Sequence, residues 1–172
     1  MATPTALPAS FSAGDVLTAA NMNLLRGAFR ILQVVSATKT DAFSTTSTSY
    51  VDITGLSVSI TPSSTASKIL ILTGIAVSAD ANGRTSVQLK RGATDIAIST
   101  GFADTNQTSV AYNNNYLSQF VSIAHLDSPA TTSATTYKFQ AKVAAGTGLI
   151  NAQSGATTHG NVSTLTVMEI SA

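Results

Sequence analysis

His125 and Asp127 stand two residues apart in the run SQFVSIAHLD, which reads as a strand. Residues i and i+2 of a strand share a face, so this pair has the geometry from which a His-Asp catalytic couple could be built. No nucleophile elbow of the form G-x-S-x-G accompanies it. The simpler reading is a hydrogen-bonded anchor at a strand end. His159 stands alone in a Gly/Thr-rich segment and reads as a solvated side chain. The two histidines could meet at a metal, above all on a trimer axis, but neither an H-x-H nor an H-E-x-x-H spacing supports this. Gly146-Thr147-Gly148 lacks the Lys-Ser/Thr pair and the helix of a phosphate loop, and reads as a turn. The eight acidic residues are scattered singly, without the paired carboxylates that glycoside cleavage needs. The expectation is a chain with no catalytic residue, cofactor or metal, not an enzyme. A polysaccharide hydrolase ranks last among its functions.

Binding chemistry is better represented. In GFADTNQTSVAYNNNYLSQ, the aromatic residues Phe102, Tyr112 and Tyr116 lie among Asn, Gln and Thr. Aromatic rings stack on sugar faces and amides bond hydroxyls, so the mixture suits a host-surface glycan. It equally suits a packed protein interface. Lys90 and Arg91, at the expected tip of a hairpin, are candidates for contact with an anionic sugar, against the plainer reading of a solvated tip. Leu17, Asn21, Leu24, Ala28 and Ile31 step by four and three residues, the a/d spacing of a coiled coil with a polar Asn in the seam. The segment is too short to stand alone. It is either an anchoring three-helix collar or one amphipathic helix packed on its own domain.

These residues need elements to position them. Met1 to Ala13, rich in Pro, Ala and Ser, reads as an extended arm without a core of its own. Thr18 can cap a helix over residues 18–30. From Ile31 onward the pattern becomes that of strands. VDITGLSVSI places Val51 and Ile53 on one parity and Leu56, Val58 and Ile60 on the other, so Gly55 marks a bulge where the inward face switches. KILILTGIAVSA is apolar on both parities, which predicts burial of both faces. SVQLKRGATDIAI predicts a hairpin in which Gly92 takes positive φ. Residues 100–115 read as loop. TYKFQAKV alternates Tyr137, Phe139, Ala141 and Val143 against Lys138, Gln140 and Lys142, and STLTVMEI closes the chain with another alternation. About eight to ten short strands separated by turn signals predict a β-sandwich or barrel.

Composition agrees. More than a quarter of the 172 residues are Ser or Thr, and Thr packs well on a pleated surface while Ser and Thr compete with helix hydrogen bonding. Only 10% of residues are charged while 44% are hydrophobic, so partner surfaces are expected to cover part of the chain. A formal charge of +1 with dispersed basic residues gives no footprint for nucleic acid. No cysteine is present, so packing and association must supply the stability. No apolar run approaches a membrane span, and the first fifteen residues lack a signal-peptide pattern. Synthesis in the cytosol without membrane insertion is expected.

The order of segments carries more than any one of them. VDITGLSVSITPSSTASKILIL, LKRGATDI, LDSPATTSATTYKFQAKV and STLTVMEI together resemble a domain of phage tail-fibre and other virion proteins, notably of marine phages, over residues 31–171. FSAGDVLTAANMNLL resembles the start of phage fibre proteins, where such a segment attaches the protein to the particle. The resemblance implies an all-β, C1q-like or TNF-like jelly roll at 31–172 behind an anchoring arm and helix at 1–30. It also implies a homotrimer and a place on the virion, assembled in the host cytoplasm beside other tail or capsid proteins. Two structural roles follow: a fibre or spike displaying the jelly roll for host attachment, or a decoration protein that cements the capsid.

Overall fold

A computed structural model describes residues 14, 16, 18–19, 31–80, 83–99, 107–112, 118–153 and 156–171. The arm at 1–13 and all but the first two residues of the helix expected at 18–30 lie outside them. Among the described residues the regular structure beyond residue 30 is all strand: β1 (Ile31–Lys39), β2 (Phe43–Thr45), β3 (Val51–Ile60), β4 (Lys68–Ala79), β5 (Arg84–Arg91), β6 (Thr94–Ile96), β7 (Ser109–Tyr112), β8 (Gln119–Asp127), β9 (Thr135–Val143), β10 (Gly148–Ile150), β11 (Ala152–Gln153), β12 (Ala156–Gly160) and β13 (Ser163–Ile170).

Two antiparallel sheets form the body. One runs β1-β13-β4-β8, with β10 and β2 extending it beside the end of β4. The other runs β3-β9-β5, with β6 and β7 both pairing the far side of β5. The chain passes from β1 to β3 in the opposite sheet and back to β4. It crosses again to β5 and β7, then alternates through β8, β9 and β13. That is the connectivity of a jelly roll, and the fold is a jelly-roll β-sandwich.

The alternation in the sequence becomes the core. Ile69, Ile71, Ile75, Leu165 and Val167 of the first sheet meet Leu56, Val58, Val87, Leu89, Tyr137 and Phe139 of the second, all buried. Each such aliphatic side chain contributes about 1.5–3 kcal/mol when taken from water. Gly55 sits at φ +88°, where the β3–β9 register shifts between Asp52 and Ser57, and the buried parity changes from Ile53 to Leu56. Gly92, at φ +58°, turns the β5–β6 hairpin in which Leu89 faces Ile96.

Two expectations need correction. Residues 109–112, read as loop, form β7, because Ser109 to Tyr112 complete the β5 edge from Val87 to Arg84. The two-sided burial expected of KILILTGIAVSA holds only in part. Ala76 and Ser78 of the even parity are covered, but Leu70 is half-exposed and Leu72 is 37% exposed. Within one chain, nothing among the described residues packs on that half of the strand's outer face.

Candidate functional site

The two sheets present opposite chemistry to the outside. Register places Val34, Met168, Leu70 and Leu126 in one row across the outer face of β1, β13, β4 and β8. Ser36, Thr166, Leu72 and Ala124 form the next row, followed by Thr38, Thr164, Gly74 and Ser122. Beyond them Phe120 stands beside Ala76. Val34 and Leu126 are each 54% exposed and Phe120 is 62% exposed. Lys68, which donates to Ser128 Oγ at 2.8 Å, is the one charged residue on this face among the described residues, at its end. Strand alternation produces the arrangement. The inward residues of these strands build the core, and their outward partners are aliphatic, small or hydroxyl-bearing where a solvated sheet would carry charge.

The outer face of the second sheet is charged and amide-rich. Asp52, Gln140 and Gln88 lie in one row, and Lys138, Lys90 and Asp95 in the next. Asp52 accepts from Lys138 Nζ at 2.8 Å and from Gln140 Nε2 at 2.7 Å, and these two donors hold its carboxyl below the ordinary value. Lys90 Nζ pairs with Asp95 at 2.6 Å, and Lys142 Nζ lies 4.8 Å from the centre of the Tyr50 ring. Thr48, Ser49, Tyr50, Gln88, Lys90, Asp95, Gln140 and Lys142 line an open cleft of about 420 Å³ on this face.

The residues singled out from the sequence are not gathered at one place. Asp127 shares the inward parity of β8 with His125, yet it turns to Arg91 and Tyr137. Arg91 Nη1 donates to both carboxylate oxygens at 2.7 and 2.9 Å, and Tyr137 Oη donates at 2.7 Å. Burial and this carboxylate together push the Tyr137 phenol far above its ordinary value. The triad ties β5 and β9 to β8 across the sandwich. Arg91 is thereby engaged in that triad. Lys90 and Arg91 end β5, and the hairpin tip itself is Gly92-Ala93. Tyr112 ends β7, His159 lies in β12, and Ile31 opens β1 on the exposed side. Phe102, Tyr116, Leu17, Asn21, Leu24 and Ala28 fall outside the described residues. Gly146-Thr147-Gly148 is a turn held by Asp80, whose carboxylate accepts from Thr147 N at 2.8 Å. Among the described residues no three His, Asp or Glu side chains cluster as metal ligands.

Sequence reading missed Tyr50, Gln88 and Asp95 as neighbours of Lys90, Gln140 and Lys142. The available signal was the run of long polar side chains on the outward parity of TYKFQAKV and SVQLKR. Which strands are adjacent is a property of topology, so the cleft was not visible in either segment alone.

Fold and faces together define a jelly-roll sandwich with one uncharged and one polar side. No family model and no curated protein matches the chain. Solved structures of infectious bursal disease virus are among those with partial similarity to the chain. The Gt-strain structure superposes with a TM-score of 0.46 at 12% identity, covering 84% of this chain and 38% of that one. The Gx-strain structure gives 0.44 at 12% identity over 80% of this chain and 38% of that one. The VP2 subviral particle gives 0.38 at 13% identity over 80% and 40%. The chain therefore spans about two fifths of the length of those proteins, and at these scores the likeness transfers no function and no residue role.

Proposed function

We propose that this chain is a non-enzymatic structural protein of a tailed-phage virion that works as a homotrimer. The carrying observation is the uncharged outer face of β1-β13-β4-β8, where Val34, Leu70, Leu72 and Leu126 form a contiguous apolar surface. A surface of this kind beside a charged one on the opposite sheet is what a partner-covered face looks like. A second and third copy of the same face would cover it. The phage setting rests on the resemblance of the segments over residues 31–171 to virion domains. In this reading residues 1–30 dock to the particle, and the sheet β3-β9-β5 faces outward for host attachment.

Capsid decoration is the second reading. It is favoured by the passage from residue 30 directly into β1 at Ile31, with no repetitive shaft between anchor and globular domain. Locating the subunit in a particle reconstruction decides between the two. A few copies at the tail are expected for a fibre or spike, a shell-wide lattice means decoration, and absence from the particle overturns the virion reading.

A further inference from the structure

We infer that the cleft on the outer face of β3-β9-β5 is a binding site for an acidic saccharide. This deepens the attachment reading and rests on it for the source of the ligand. Gln88 forms part of its lining, 2% exposed although it points away from the core. Its side chain is covered by its neighbours and forms part of the floor of the open cleft. Around it stand the second amide, Gln140, the Lys90–Asp95 pair and the half-buried Tyr50 ring with Lys142 over it.

Each group matches one feature of a pyranose carrying a carboxylate. The Gln140 amide and the Asp95 carboxylate place a donor and acceptors in one lining, which adjacent ring hydroxyls require. Asp52 takes the Gln140 amide nitrogen at 2.7 Å and so fixes the orientation of that side chain before any ligand arrives. Tyr50 holds the Lys142 ammonium 4.8 Å from its ring centre, in the lining of the cleft, where the sugar carboxylate can meet it. Two lysines against one aspartate leave the lining positive, so an anionic sugar is preferred to a neutral one. The lining contains no aliphatic side chain, which argues against an apolar ligand. Among the described residues the cleft's lining has one carboxylate and no histidine, which suits binding a sugar better than cleaving it.

The test is saturation-transfer NMR and calorimetry on the full chain with trigalacturonic acid and, as the neutral counterpart, maltotriose. Binding of the acidic trimer, weakened roughly tenfold by Lys142→Glu and weakened again by rising salt, is expected. Lys68→Glu, on the opposite sheet, should leave it unchanged. Lys142→Met, which keeps an unbranched side chain of similar length and removes the charge, should also weaken binding while the melting temperature stays within a degree or two of wild type. Equal binding of both trisaccharides, undiminished binding by the two Lys142 variants, or no binding at millimolar ligand would each overturn the assignment. A protein that is trimeric yet binds neither sugar contradicts this inference alone, whereas a monomer that binds contradicts the assembly reading alone.

Discussion

Glu169 shows how one side chain sets a limit on conditions. It is fully buried near the end of β13, and its carboxylate accepts from Ser63 N at 2.7 Å, Ser63 Oγ at 2.6 Å, Ser67 Oγ at 2.7 Å and Gln33 Nε2 at 2.6 Å. Gln33 also reaches Thr61 O at 2.6 Å, so the β3–β4 connection is clamped to β1 and β13. Burial alone would raise the carboxyl, but four donors outweigh it and hold it at about 2, against an ordinary 4.5. The folded state therefore binds fewer protons than the unfolded chain between those values. The stability it supplies is complete above about pH 4.5 and is lost as pH falls toward 2. Tyr137 works at the other end: its raised phenol keeps its proton in the fold, so stability falls once the unfolded chain begins to ionise above about pH 10. Denaturant melts across pH should show a plateau between these limits. Glu169→Gln should cost about 2–3 kcal/mol at neutral pH and flatten the acid limb. An unchanged acid limb in that variant would place the pH dependence elsewhere.

At the scale of elements, alternation was the legible signal. The inward residues of β9, Tyr137, Phe139, Ala141 and Val143, and the face switch at Gly55, could be read directly, because period two and a glycine at positive φ are local properties. β7 was not legible, since Ser109 to Tyr112 carry no strong alternation and become a strand only through the free edge of β5. The break at Asn151 between β10 and β11 was also hidden. Asn151 adopts φ 61° between β10 and β11 because its side chain donates to Lys39 O at 2.8 Å and accepts from Ser163 Oγ at 2.6 Å, partners 112 and 12 residues distant. Gly146 illustrates a turn fixed by sterics: at φ +70°, a Cβ there would collide with the Asp80 carboxylate that holds Thr147. Gly146→Ala should therefore lower stability by about 1–3 kcal/mol, from left-handed strain and the displaced carboxylate. A thermal melt measures this, and a neutral result would mean that the 144–147 turn can rearrange without cost.

For the whole molecule, the difference between its two faces is the property on which the proposed assembly rests. The polar sheet resembles an ordinary solvated surface, with ion pairs that add little stability but keep the protein in solution. The other sheet has Val34, Leu126 and Phe120 more than half exposed and one lysine at its margin. The apolar character of this face could be read from the two-sided hydrophobicity of KILILTGIAVSA, which also suggested an apolar interface between copies. Which half of the strand's outer face stays exposed within one chain depends on the sheet order, a property of topology. The measurement closest to this claim is the mass in solution at micromolar concentration, by sedimentation or light scattering, for the wild-type chain and for Leu126→Glu. The account predicts three times the chain mass for the wild type, and one chain mass with an unchanged β-type circular dichroism spectrum for the variant, because a buried carboxylate in an apolar interface costs several kcal/mol. A wild-type chain that sediments as a stable monomer would contradict it.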